Sequence, residues 1–177
     1  IGQWDVSKVK DLSRIFLEAV SFNNDISTWD VSKATDMALM FRSTKSFEGD
    51  VSKWDVSRAT DTSGMFWGAR EFNSDISKWD VSSVTNMTRM FCFTRAFNAD
   101  ISKWDVSRVR DMPVMFYDAP VFNRDLSDWD VSRVTDMSAM FWEALSFNGD
   151  ISKWDVSGVT DMLRMLSLIH ISEPTRP

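Results

Sequence analysis

The sequence predicts an α/β solenoid of about six and a half coils, each coil one short parallel strand and one short helix, and three observations carry that expectation. Tryptophan recurs at Trp4, Trp29, Trp54, Trp79, Trp104, Trp129 and Trp154, always 25 residues apart and without an insertion. Phenylalanine keeps the same period in two columns, one running from Phe16 to Phe141 and the other from Phe22 to Phe147, and only Phe93 lies outside them. A unit of that size cannot bury its own apolar positions, whereas stacked units bury them against each other as one core.

The unit from Trp129 to Lys153 shows the elements in order. Trp129 and Val131 alternate with Asp130 and Ser132, the period-two pattern of a strand with one buried face. Met137, Met140, Phe141 and Ala144 then fall at i, i+3, i+4 and i+7, which places them on one face of a short helix. Thr135 stands where an N-cap belongs and Asp136 where a carboxylate complements the helix dipole. Pro113, in the equivalent unit, would be the third helical residue, where a missing N–H costs no helical bond. Phe147, Asn148, Gly149 and Asp150 supply an anchor and then turn formers before the next strand.

The words Ile-Ser-Lys-Trp-Asp-Val, at Ile76 to Val81, Ile101 to Val106 and Ile151 to Val156, fit the apolar spacing of a leucine-rich repeat. The full unit, F-N-x-D-I-S-x-W-D-V-S-x-V-T-D-M-x-x-M-F-x-x-A, closely resembles the BspA-like leucine-rich-repeat surface proteins, including a repeat first described in mycoplasma proteins of unknown function. That resemblance implies a leucine-rich-repeat-like solenoid, at the cell surface or secreted, with adhesion or binding and no catalysis. Thr62 in place of Met, Glu48 in place of Asn, and Lys10 and Arg110 in place of Thr depart from the pattern at single units.

The repeat spans residues 1–165. It opens in mid-unit at Ile1, without a polar capping unit, so a fragment of a longer array is expected. From Leu166 the chain reads LSLIHISEPTRP, which resembles the translation of a transposase sequencing adapter, and residues 166–177 are set aside as a non-native tail, a native cap being the alternative. The lone His170 goes with that tail.

Composition narrows the function. The chain carries 20 Lys and Arg against 26 Asp and Glu, a net charge of -6, which argues against a nucleic-acid groove or an anionic membrane as partner. No apolar run approaches the ~20 residues of a membrane span. One Cys, no phosphate loop and no HExxH or CxxC leave no constellation for an enzyme, and no cofactor is expected.

Two columns tempt a sharper reading. Aspartates recur from Asp5 to Asp155 and from Asp25 to Asp150, a spacing that could hold Ca²⁺. Flanking Lys53, Lys78, Lys103 and Lys153, with Lys8, Lys33, Arg58, Arg108 and Arg133, predict ladder pairing instead, and the second column suits turns in which Asp bonds its own backbone. The Thr row at Thr35, Thr60, Thr85, Thr135 and Thr160 suggests an ice-binding face, but N-capping is the simpler role, and Arg110 interrupts it. What remains variable are large aromatics beside the buried face, Trp67, Phe93, Tyr117 and Trp142, and they are the candidate contacts for a protein or glycan. A purely structural spacer is the alternative.

Overall fold

The computed structural model describes residues 1–166, and it overturns the strand-and-helix unit. Among the described residues there is no helix and no sheet, so neither the α/β assignment nor the leucine-rich-repeat solenoid holds. Each 25-residue unit is a succession of tight turns, and units are joined by isolated parallel bridges, Asp11 to Asp36, Asp36 to Asp61, Asp61 to Asn86 and onward to Asp161. The Trp-Asp-Val segments, expected to pair as strands, contribute none of these bridges.

The backbone bonding explains why no helix forms. In the second unit the N–H groups of Met40, Arg42 and Thr44 donate to carbonyls three residues back, at Met37, Leu39 and Phe41. The N–H groups between them, on Met37, Leu39, Phe41 and Ser43, donate instead to Asp61, Ser63, Met65 and Trp67 of the following unit. Alternate donors therefore close turns and cross between units, which satisfies the backbone without the i to i−4 ladder of a helix. Two residues per unit take φ near +60° to allow this, as Leu39 and Ser43 do, and again Arg89 and Phe93, or Val114 and Asp118. A helix cannot tolerate such residues in its interior, since left-handed φ costs roughly 1–2 kcal/mol per residue for a side chain with Cβ.

The buried columns follow the expected positions nonetheless. Met37, Met40, Phe41 and Thr44 are all buried, because three-residue turns bring the same positions to one side as a helix does. Within each unit the two Phe rings stack at 3.7 to 4.2 Å between centroids. The inner Phe column continues between units at 5.4 to 5.8 Å, and Trp79 lies parallel to Trp104 at 6.4 Å. The indoles also carry hydrogen bonds: Trp54, Trp79, Trp104, Trp129 and Trp154 each donate Nε1–H to the carbonyl of the Ile, Val or Leu 28 residues before. At the first units Trp4 is exposed and the buried Trp29 Nε1 has no partner.

Three smaller expectations change with the helix. The Thr hydroxyls cap nothing; Thr60 and Thr85 donate both N–H and O–H to the carbonyls of Thr35 and Thr60, and so tie each unit to the one before. Asp136 accepts from Ser138 N–H in a local turn rather than facing a helix dipole. Pro113 sits where this column's N–H elsewhere serves the aspartate two residues back, as Ser63 serves Asp61, so Pro there forfeits one turn bond and no bond between units. Leu166 keeps the register, bridging to Phe141. The rest of the tail assigned to 166–177, with His170, lies outside the described residues.

Candidate functional site

The four aromatics singled out from the sequence fall on the variable side of the stack, in or beside one column. Trp67, Tyr117 and Trp142 are half-buried, and Phe93 is 38% exposed. Phe93 meets Tyr117 edge to face, with centroids 5.2 Å apart. Cys92 occupies the same column between Trp67 and Tyr117, and it is buried, with its thiol pushed up to about 12 by desolvation. The row is thus two patches rather than one continuous strip.

Neither Trp67 nor Trp142 offers a bare ring. The Arg42 guanidinium, from the preceding unit, lies 4.2 Å from the Trp67 ring centroid, and that of Arg89, from the following unit, lies 5.5 Å from it. Arg164 covers Trp142 at 5.0 Å. Such cation–π contacts are worth about 0.5–1 kcal/mol at exposed sites. Arg42 Nε is buried without a hydrogen-bond partner. Arg42 and Arg89 make no ion pair among the described residues.

The aspartate columns are occupied by their own turns. Asp5, Asp30, Asp55, Asp105 and Asp130 accept N–H bonds from the Ser two residues on, and Asp25, Asp50, Asp75, Asp100 and Asp150 do the same. The hydroxyl and N–H of Ser57 hold the Asp55 carboxyl below its ordinary range against a small opposing effect of burial, and Ser77 does so for Asp75. The expected pairing with Lys and Arg is largely absent. The two ion pairs among the described residues, Arg95–Asp118 at 3.5 Å and Lys103–Asp128 at 2.6 Å, use aspartates outside both columns. Among the described residues no three carboxylate, thiol or imidazole side chains converge to hold a metal.

A feature the sequence reading did not single out lies at the third unit. Both positions that take positive φ are glycine there, Gly64 at +57° and Gly68 at +73°, with Trp67 between them. The column of Gly64 carries Arg14, Leu39, Arg89, Val114, Ala139 and Arg164 elsewhere. The missing side chain opens a notch of about 260 Å³ lined by Leu39, Ser63, Gly64, Trp67, Asn86, Thr88 and Arg89. Asn86 is itself the exception in a column otherwise made of Asp11, Asp36, Asp61, Asp111, Asp136 and Asp161. These two departures were visible as broken columns, but only the fold shows that they meet. An asparagine ladder was also missed: Asn98, Asn123 and Asn148 each accept or donate in a chain of N–H to Oδ1 bonds from one unit to the next.

A family described as "Mycoplasma protein of unknown function, DUF285" matches residues 1–92 and again residues 74–172. The chain belongs to this family. The two matches overlap, as a repeat allows when the same pattern is met in successive units. No curated protein and no solved structure matches the chain. Membership in DUF285 brings no activity with it, so the chemistry of the site rests on the residues described above.

Proposed function

We propose that this DUF285 chain is a non-catalytic recognition module, at the cell surface or secreted, that contacts a protein or glycan through its variable face. The observation that supports it is the division of labour between columns. Outside the two ends of the described chain the repeated large side chains are spent inside, in the Trp, Phe and Met columns, while Trp67, Phe93, Tyr117 and Trp142 differ from unit to unit and stay partly open. A fold that needed only to space other domains has no use for aromatics at such positions, and half-open aromatics beside arginine are what binding hot spots are made of. Surface display is the part drawn from the likeness to BspA-like proteins.

The test replaces Trp67, Tyr117 and Trp142 together by Ser. The circular dichroism spectrum should stay nearly unchanged while adhesion to cells or matrix that the parent chain binds falls to background. Adhesion that survives the triple change favours the spacer reading, and loss of folding assigns the column to the core.

A further inference from the structure

Resting on that reading of the variable face, we propose that the notch at Gly64 is a binding site for a single carboxylate-bearing sugar ring. In a repeat, departures from the columns are free to fall anywhere, yet two meet at one point, beside a large aromatic. Gly64 removes a side chain, Asn86 removes a carboxylate, and Trp67 of the variable column stands beside the opening. The glycine is what keeps the space open: a Cβ at Gly64 would stand 2.5 Å from Leu39 Cδ2.

The lining matches the chemistry of an acidic sugar on each side. Leu39 and the edge of Trp67 give an apolar wall for the C–H face of a pyranose, and Ser63 and Thr88 give hydroxyls for its hydroxyl groups. Arg89 supplies a guanidinium fork with no ion pair among the described residues, pre-oriented against the Trp67 ring, for a carboxylate. Asp61, which bridges to Asn86, is already engaged by Ser63 N–H and by Asn86 Nδ2 at 3.4 Å. With Asp at position 86 a negative charge would line the notch and repel an anion, which Asn avoids while still accepting the turn bond from Thr88 N–H.

Size and backbone favour a sugar over an acidic peptide. At about 260 Å³ the notch lies below the usual range of ligand pockets, ~300–1,000 Å³, and suits one ring rather than a running chain. An extended peptide would need free main-chain groups to pair with. Here Gly64 N–H already donates to Thr88 and Phe66 N–H to Met90, in bonds between units.

The test follows the Trp67 indole N–H resonance, assigned with Trp67→Phe, during titration of the full chain with sialyllactose, with a glucuronate-terminated oligosaccharide, and with lactose as the neutral control. At least one acidic sugar should shift that resonance and bind at least tenfold more tightly than lactose, and the one that does so names the source of the carboxylate. Arg89→Gln should erase the acidic preference. Gly64→Ala, which copies Ala139 at the same φ region, should weaken binding about tenfold while the spectrum of the fold is retained. Val20→Ser, at an exposed position away from the notch, should leave binding unchanged. Equal binding of acidic and neutral sugars, or an Arg89→Gln chain that binds as well as the parent, overturns the proposal. So does a shift of the Trp67 resonance by a Glu-rich peptide with all three sugars silent. If Tyr117→Ser with Trp142→Ser abolishes sugar binding and Arg89→Gln does not, the notch is refuted while the wider recognition reading stands.

Discussion

Removing one ring from the middle of the Phe column tests the shared core directly. Phe91 is fully buried and meets four rings: it stacks on Phe97 at 3.9 Å, Phe116 at 5.7 Å and Phe66 at 5.8 Å, and Trp104 lies tilted to it at 6.1 Å. Phe91→Ala should cost at the upper end of the ~3–5 kcal/mol typical for a core Phe, because units on both sides are held and cannot close the void. Phe16 in the first unit has three ring partners, Phe22, Phe41 and Trp29, one fewer than Phe91. Each aromatic pair adds about 0.5–1.5 kcal/mol beyond burial, so Phe16→Ala should cost about 1 kcal/mol less than Phe91→Ala. For a chain of this length the central change corresponds to a fall of about 10–15 °C in Tm. Urea and thermal unfolding followed by near- and far-UV circular dichroism read both variants. The central variant should also broaden or split the transition, since units interact only with their neighbours. If Phe91→Ala costs under 1 kcal/mol, or no more than Phe16→Ala, the ring columns are not the cohesive core.

Further outcomes follow from the same geometry. Asp55, Asp75, Asp105 and Asp130 have carboxyls held below the ordinary range by Ser hydroxyl and N–H bonds, so their contribution is in place above about pH 4 and is lost as pH falls through the lower folded values. Thermal stability should therefore be flat from neutral pH to about pH 5 and decline below about pH 4, and Asp→Asn at these positions should flatten that decline, as Asn86 already accepts the same turn bond in its own column. Cys92, buried and with its thiol pushed up to about 12, should resist a thiol reagent in the folded chain and react fully in denaturant; fast labelling without denaturant would contradict its placement. Gly64→Ala should cost about 1 kcal/mol, through its φ of +57° and the contact with Leu39, readable as a small loss in urea midpoint.

Burial was legible in the sequence because it is set by period alone. Met87, Met90 and Phe91 declare a shared face whether the chain between them is a helix or a row of tight turns, so the columns were read correctly and the element wrongly. The positive-φ positions gave no warning, since Arg14, Glu18, Leu39 and Val114 are not the residues that announce left-handed backbone. The turns themselves were written in the repeated Asp-x-Ser words, at Asp5 to Ser7, Asp11 to Ser13 and Asp25 to Ser27, and each of these closes an N–H to carboxylate bond. Of the site, the large aromatics could be found by their variation. The arginines lying against Trp67 could not, because Arg42 and Arg89 belong to different units and different columns and meet the ring only once the units are stacked.

The bonds between units also limit how a gene encoding this chain can change length. Thr60 reaches back 25 residues to Thr35, Thr62 reaches forward 24 to Asn86, and Trp54 reaches back 28 to Ile26. These spans run along different stretches of the loop, so together they sample nearly its whole circumference. One added residue would throw at least one set of partners out of step, and there is no slack segment where it could bulge harmlessly. Duplication or loss of 25 codons at once, in contrast, returns every donor to an equivalent acceptor. Growth by whole units is cheap and growth by single residues is not, which is why specificity here must be altered by exchanging side chains on a frame of fixed circumference.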